Sequence, residues 1–559
     1  MRIAWVALAI AAAGCSNTWL DSRPRLTAAI ERLRTAQAEA QKEAPPPVKP
    51  VPPALKGEVR LTLLGTLALA MRHNPDVQIA GYDPLLAEAD LIHAEAVFDP
   101  SIFWSNNFNR TSRPIQSQLD TGSLRSSALA EDRWAARYGL KQRALSGGTF
   151  SLYQEMDYLE SSSHLVVPNP QYTSRLSAEL SQPLLKGFGD PDNRAAIRIA
   201  TLSSAVTLQD FRQKVMEVAT QTIAAYWQLA IDREVVRVAR ETAEMAREVL
   251  RREEVRRKQG LSNELSIARA ASALATREAE LVRTENRVRA GSDRLLYLVH
   301  APDLRLESDA TIIPADTPRF FLVDVDRSAS MARALVRRPE IERLRRAIEA
   351  NQIRVDAADR ARLPKLDAVL RYTMNGLGRN LGGAMEMIDP GNHLSWTAGL
   401  EFELPIGNRT ADSDHAKRRV EYEQTLLKAE QTADQVMEEV SLAVRAVLQG
   451  RDEVEATSKA VTAARQAVAG ENVRYELGQV TNEELLRAQD TLASAERDHL
   501  QAVLNFNLAL AELERTQGTL MEDHGIEVVW PQESGRRPLP VGVTMPGAKA
   551  APGPPAPPK

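Results

Sequence analysis

The sequence predicts a mixed α/β chain in which short, two-faced strands lead into very long helices, and in which that arrangement occurs twice. Three observations carry this. Ser395–Pro405 reads S-W-T-A-G-L-E-F-E-L-P, so Trp396, Ala398, Leu400, Phe402 and Leu404 share one face of an extended strand, and Ser395, Thr397, Gly399, Glu401 and Glu403 the other. Such a strand either covers a core or sets lipid against a watery lumen. Pro405 and Gly407-Asn408 end it, and from Ala411 a helical composition runs for about a hundred residues with only three glycines. The third observation is an earlier copy of the same design. Leu176, Ala178 and Leu180 alternate with Arg175, Ser177 and Glu179, then Gln182-Pro183, Gly187 and Gly189 precede a second long helical region.

With 559 residues the chain has room for two or more ordinary domains. A formal net charge of -4 gives no sign of a nucleic-acid partner, and 5% aromatic residues suit long helices packed through Leu, Val and Ala.

Met1-Arg2 is a short positive end, Ile3 to Ala13 an apolar run, and Ala12-Ala13-Gly14 leads into Cys15. This is the form of a bacterial secretion signal over 1–14, too short to span a bilayer comfortably. An ordinary signal with an incidental cysteine is the alternative to an acylation site. The chain has one cysteine, which excludes a disulfide within it. Residues 15–60 end in Pro45-Pro46-Pro47 and Pro52-Pro53, an extended tether.

From Leu61 a helix is expected through Leu64, Leu67, Ala68 and Met71, broken at Asn74-Pro75, with a second over Asp76 to Val97. Ile102, Trp104 and Phe108 mark a strand. Trp134, Ala136, Tyr138 and Leu140 mark another, and after the Gly147-Gly148 turn Phe150, Leu152, Met156 and Tyr158 mark its return. The first long helical region spans about Asn193 to Lys258. After Gly260 a partner runs from Glu264 to Tyr297, with Leu265, Ala268, Leu274, Leu281 and Val288 spaced for a coiled-coil-like seam. The second half replays this: Arg338-Pro339-Glu340-Ile341 echoes Asn74-Pro75-Asp76-Val77, and Leu366, Ala368, Leu370 and Tyr372 follow at the spacing of Ile102, Trp104, Asn106 and Phe108. The expected divisions are 61–310 for the first repeat, 311–520 for the second and 521–559 for a tail. From Pro531 that tail holds nine prolines and no apolar period, and is expected to be disordered.

Two copies of helix, Asn/Arg-Pro, helix, strand, loop, strand, Pro, long helix, glycine tip and long helix resemble the outer-membrane efflux protein family, the TolC-like channels, over roughly Leu61 to Leu520. The resemblance implies a homotrimer whose chains give about four strands each to one outer-membrane β-barrel, continued by a long periplasmic barrel of coiled helices. It also implies passive export in a tripartite efflux or type I secretion-like system. The energy would come from an inner-membrane transporter of RND, ABC or MFS type, joined through a periplasmic adaptor. No cofactor is implied. The small residues before Cys15 resemble a lipobox, which would make Cys15 the acylated first residue of an outer-membrane lipoprotein, and Ser16 resembles the outer-membrane sorting choice.

On this reading Trp396, Leu400 and Phe402 face lipid, and Glu401 and Glu403 the lumen. Gly260-Leu261-Ser262 and Gly478-Gln479-Val480-Thr481 look like adaptor-docking tips, the second one residue longer, with Ser262 or Thr481 able to cap the following helix. Glu484 and Arg487 resemble positions where relatives place charge rings at the inner entrance; ordinary solvated helix charges are the alternative, and Arg487 departs from the acidic pattern. Six strand candidates stand where four are needed. The Trp134–Tyr158 pair is expected either above the membrane or in lengthened strands, rather than widening the barrel. The eight histidines are scattered without a metal-ligand spacing, and Gly376-Leu377-Gly378 and Gly382-Gly383 read as loop, so no enzyme is indicated. A non-transporting periplasmic coiled-coil scaffold is the rival reading.

Overall fold

The computed structural model describes residues 57–545, apart from 116, 118–119, 123–126, 261, 305, 307–309, 319, 390, 392 and 530–540. In chain order its main elements begin with β1 (Gly57–Leu61), α1 (Leu63–His73), α2 (Pro75–Ala80), α3 (Asp83–Glu95), β2 (Ser101–Pro114), β3 (Ala128–Arg143), β4 (Thr149–Ser161) and β5 (Gln171–Pro183). The first long helices α4 (Ala195–Lys258) and α5 (Glu264–Val299) follow, then β6 (Ala310–Pro314), α6 (Arg327–Arg337), α7 (Pro339–Arg360), β7 (Lys365–Gly378) and β8 (Leu394–Glu403). The long helices α8 (Arg409–Glu476) and α9 (Asn482–Gln517) precede the short strands β9 (Glu527–Val529) and β10 (Gly542–Thr544). The expected Asp76–Val97 helix is broken at Gly81-Tyr82. The chain divides into two compact units that cut across the repeats: 87–204 with 345–428, and the remainder.

The first of these units holds one antiparallel sheet of six strands in the order β2-β3-β4-β5-β7-β8. The sheet therefore does not stop at the four or so strands per chain that the resemblance implies for the barrel. Nor do β3 and β4 stand apart or merely lengthen their neighbours. β3 pairs β2 from Ser101↔Lys141 to Pro114↔Ala128 on one side and β4 on the other, and β4 in turn pairs β5 from Thr149↔Ser181 to Leu159↔Gln171. The reason is alternation: each strand is two-faced in the same phase, so every added strand extends both faces at once. Gly376 and Gly378 lie within β7 rather than in a loop, where a Cβ would collide with the backbone at Ala384 of a short helix, Leu381–Glu386.

The other unit is built on two helical hairpins. Arg240 pairs Glu285 at 3.2 Å and Arg247 pairs Glu278 at 2.7 Å, so seven residues forward along α4 is seven back along α5, an antiparallel pair. Arg465–Glu496 at 2.8 Å and the hydrogen bond between Thr457 and His499 at 3.1 Å place α8 against α9 in the same sense. The α5 seam differs from the expected one. Ala270, Arg277 and Thr284 are buried at heptad spacing, while Leu274, Leu281 and Val288 are half-buried and Leu265 is exposed. Small and polar residues line the close contact, and the leucine stripe lies to its side.

One core gathers Leu67, Met71, Phe211, Ile223, Tyr226, Leu295 and Ile312, and also Val541 and Val543. Tyr226 sits where β1 and β6 run parallel. Its hydroxyl lies 3.0 Å from the Leu61 carbonyl and 2.9 Å from the Asp316 carboxylate, and burial raises the phenol pKa far above its usual value. A second core joins Ala334 of α6 to Val436, Val440 and Val444 of α8 and Phe506 of α9. Beside it Arg338, the residue before Pro339, is buried against Glu340 at 2.9 Å and Glu439 at 2.6 Å. In the first repeat the equivalent Asn74 caps α2 instead, accepting from Asp76 N at 2.9 Å and donating to the Leu298 carbonyl. The tail expectation is corrected at one place: β10 pairs antiparallel with β9, and Val541 N donates to the Gly81 carbonyl at 2.9 Å.

Candidate functional site

Cross-strand register sorts the sheet into two faces. One row runs Ile102, Leu140, Leu152, Ala178, Tyr372 and Trp396 across all six strands, and another runs Phe108, Trp134, Tyr158 and Tyr172 across four. Trp396 is 73% exposed, Leu400 69% and Phe402 64%, and Ile102, Trp104 and Phe108 are similarly bare. An apolar face of this extent calls for a partner surface, yet among the described residues nothing covers it.

The opposite face is polar and knitted together. Asp157 of β4 accepts from Arg133 of β3 at 3.2 Å and from Arg175 of β5, which also pairs with Glu155 at 3.5 Å. Arg371 pairs Glu179 at 3.0 Å, and the Arg137 guanidinium lies 3.9 Å over the Tyr153 ring. Glu401 and Glu403 stand on this face of β8, opposite Asp367 and Lys365. The two edges, β2 and β8, are exposed along their length.

The hairpin tips form a separate locus. Gly260 and Gly478 close α4 and α8 with φ of 73° and 70°, conformations that strain any other residue. Both connections, 259–263 and 477–481, have the same length, which corrects the expectation of a longer second tip. The position of the cap accounts for the difference. Asn263, not Ser262, caps α5 by accepting from Ser266 N at 2.8 Å. Thr481 caps α9, and Glu484 accepts the Thr481 amide at 3.3 Å. Arg487 pairs with Glu483 at 2.5 Å, and Glu483 with Arg269 at 3.0 Å, so Glu484 and Arg487 both have local partners. Gln479 is exposed, Val480 packs on a small core of Val249, Ala270, Tyr475, Leu485 and Leu486, and Leu261 lies outside the described residues, as does Cys15.

Sequence reasoning missed what fastens the tips together. Glu253, 4% exposed, accepts from the Tyr475 hydroxyl at 2.5 Å and from the Ser262 hydroxyl, with Arg256 over the Tyr475 ring at 5.1 Å. Burial and the bond to Glu253 raise the Tyr475 phenol pKa. About three helical turns further along, Arg277, 7% exposed, donates to Asp490 at 2.8 Å, to Gln489 at 3.0 Å and to the Thr242 carbonyl at 3.4 Å. The signal was present, since Glu253 continues the buried stripe of Thr242, Ala246 and Val249. Tyr475→Phe is expected to leave Glu253 short of a donor at a cost of about 1–3 kcal/mol. Amide exchange should rise over 253–262 and 472–478, and not in the sheet. Between the tips a groove of about 810 Å³ is lined by Arg252, Val255, Arg256, Gln259, Tyr475 and Leu477.

Among the described residues no group of three or more His, Cys, Asp or Glu gathers as for a metal ion, and no helix is long and apolar enough to cross a membrane. The family described as Outer membrane efflux protein matches residues 66–299 and 331–519. Among solved structures, the CmeC outer membrane channel of Campylobacter jejuni superposes with a TM-score of 0.60 at 16% identity, over 82% of this chain and 86% of that one. The outer membrane protein VceC of Vibrio cholerae gives 0.59 at 17% identity, over 82% and 96%. The MtrE outer membrane channel of Neisseria gonorrhoeae, in an open state, gives 0.57 at 17%, over 82% and 89%. At these identities the likeness is one of fold. No curated protein matches the chain.

Proposed function

This chain belongs to the outer membrane efflux protein family, whose members are non-catalytic conduits, and from that premise we propose that it is the passive outer-membrane channel of a tripartite export system. Three copies close a barrel through their β2 and β8 edges, because backbone groups in lipid must be paired and a six-stranded sheet cannot pair its own edges. The observation that carries this reading is the single sheet, with an exposed apolar row across all six strands on one face and ion pairs knitting β3, β4, β5 and β7 on the other. Trp396, Leu400 and Phe402 then face lipid, and Glu401 and Glu403 the lumen. A coiled-coil scaffold has no use for such a face.

Exposed apolar residues on α8, among them Val420 at 57% and Leu427 at 65%, support a homotrimer in which each helix meets neighbours from another copy. The tips Gly260–Ser262 and Gly478–Thr481, with the groove between them, receive a periplasmic adaptor that links the channel to an inner-membrane transporter. Glu484 and Arg487 are assigned to the inner entrance as capping and ion-pair residues, holding the tip rather than ringing the pore. Ala12-Ala13-Gly14-Cys15 supports acylation of Cys15 and an outer-membrane anchor.

Detergent extraction of separated outer membranes, with particle mass and imaging, tests the whole. A threefold tube is expected from the wild type, and Cys15→Ala is expected to lower its yield without changing its symmetry. A monomer in the soluble periplasmic fraction would return the scaffold to first place.

A further inference from the structure

The family resemblance implies only about four strands per chain, and the channel reading closes the sheet through its β2 and β8 edges but says nothing of whether β3 and β4 cross the membrane with their neighbours. Their geometry makes them more than ornament. Strands of 16 and 13 residues are each long enough to cross a bilayer, which needs about 9–11 residues in a tilted strand. Direction fits as well. β2 leaves the helical side after α3 and β5 returns to it before α4, so β3 and β4 add one return and one outward pass and restore the same polarity. Their shared turn, closed by Ala144 N donating to the Gly148 carbonyl at 2.7 Å, is short and lies at the end of the sheet where β5 runs on toward α4, Gly189 N donating to the Ser146 carbonyl at 3.0 Å, and short turns of this kind are the periplasmic ones in bacterial barrels.

Neither face of the pair is complete without its neighbours. On the apolar side Trp134, Tyr138, Leu140, Phe150, Leu152 and Tyr158 continue rows begun by β2 and ended by β5 or β8. On the polar side Asp157 draws together Arg133 and Arg175 from the strands on either side of it. Lifting the pair out of the sheet would strip hydrogen bonds from both of its edges, expose its apolar row to water and leave the Asp157 carboxylate with one cation fewer.

Resting on the trimeric channel reading, we propose that β3 and β4 are transmembrane staves, so that three copies close an eighteen-stranded barrel. Barrel diameter grows roughly linearly with strand number, so this exit is about half as wide again as four strands per chain would make it, in the range where an open aqueous channel remains. The pair thus sets the size class of cargo that leaves, admitting solutes of larger cross-section than a twelve-stranded exit passes. β3 also lines that lumen with Arg133, Arg137 and Lys141, alternate positions on the polar face.

The test images wild-type trimers beside a variant lacking residues 119–166, which joins β2 to β5 through the remaining loop with both strands in their original phase. Eighteen strands are expected in the wild type and twelve in the variant, with a diameter ratio of about 1.5. Should the variant fail to assemble, the wild-type strand count decides alone. Cysteine pairs on a background whose one native cysteine is Cys15 give a second reading. Asn107→Cys with Ala135→Cys and Ser151→Cys with Glu179→Cys stand directly opposite across β2–β3 and β4–β5, within disulfide reach, and are expected to cross-link in outer membranes. A threefold tube closed by twelve strands, with neither pair cross-linked, overturns this inference and leaves the channel standing. A soluble monomer overturns both.

Discussion

Leu400→Arg is expected to remove the protein from the outer membrane fraction, whereas Thr397→Arg, on the other face of the same strand, leaves its level unchanged. Leu400 is 69% exposed and lies opposite Ala368 in a face with no polar neighbour to receive a guanidinium. An arginine facing lipid near the bilayer midplane costs about 2–4 kcal/mol in a barrel, and threefold symmetry repeats that cost in each chain. Thr397 lies opposite Arg371, among groups already hydrated or paired, so the same side chain there meets water. Quantitative blotting of separated membranes measures both. Equal levels of the two variants would remove the lipid-facing assignment, and with it the main support for a barrel.

Arg338→Ala is expected to destabilise the helical unit by about 3–5 kcal/mol, because it strands Glu340 in a site closed to water. The Arg338 side chain is 5% exposed and that of Glu340 11%, while Glu439, at 44%, can rehydrate. Arg338→Met with Glu340→Leu should recover most of the loss, since replacing both partners of a buried pair with apolar groups is often neutral. Acid provides an independent reading. Burial alone would raise the Glu340 carboxyl pKa, but the hydrogen bond and charge of Arg338 outweigh it and hold the group below its ordinary 4.5. A carboxyl depressed in the folded state stabilises the fold above its unfolded pKa and loses that contribution as pH falls through the folded value. Wild type should therefore lose stability relative to the double variant as pH is lowered past 4.5, as read from urea midpoints of the extracted protein.

The strands were legible because alternation is a local signal. Trp396, Leu400 and Phe402 announce their shared face within a single stretch of chain. Strand partnership is not local, and nothing in Trp134–Tyr158 says whether β2 pairs with β3 or passes it by; the resemblance implies four strands, which sends the extra pair above the membrane or into lengthened strands. At the tips the reverse happened. The run Arg251–Lys258 mixes charges of both signs, as a solvated helix face does, and only the stripe through Thr242, Ala246 and Val249 reveals that Glu253 points inward. Thr481 caps its helix as its sequence suggests, but Asn263 rather than Ser262 caps the other, and counting from Ser262 makes equal loops look unequal. Proline content likewise concealed the short Val541-Gly542-Val543 segment, whose two valines are buried despite their surroundings.

That segment also imposes an order in time. The core around Leu67, Met71, Phe211 and Ile312 is closed by Val541 and Val543, and the Val541 amide is anchored on Gly81, near the start of the described chain. A chain made and exported from its N-terminus exposes this apolar surface early and can seal it only when Val541 and Val543 arrive, long after Ile312. Completion of this core thus waits on those two valines, and a chain cut before them leaves the surface around Leu67 and Met71 open to water.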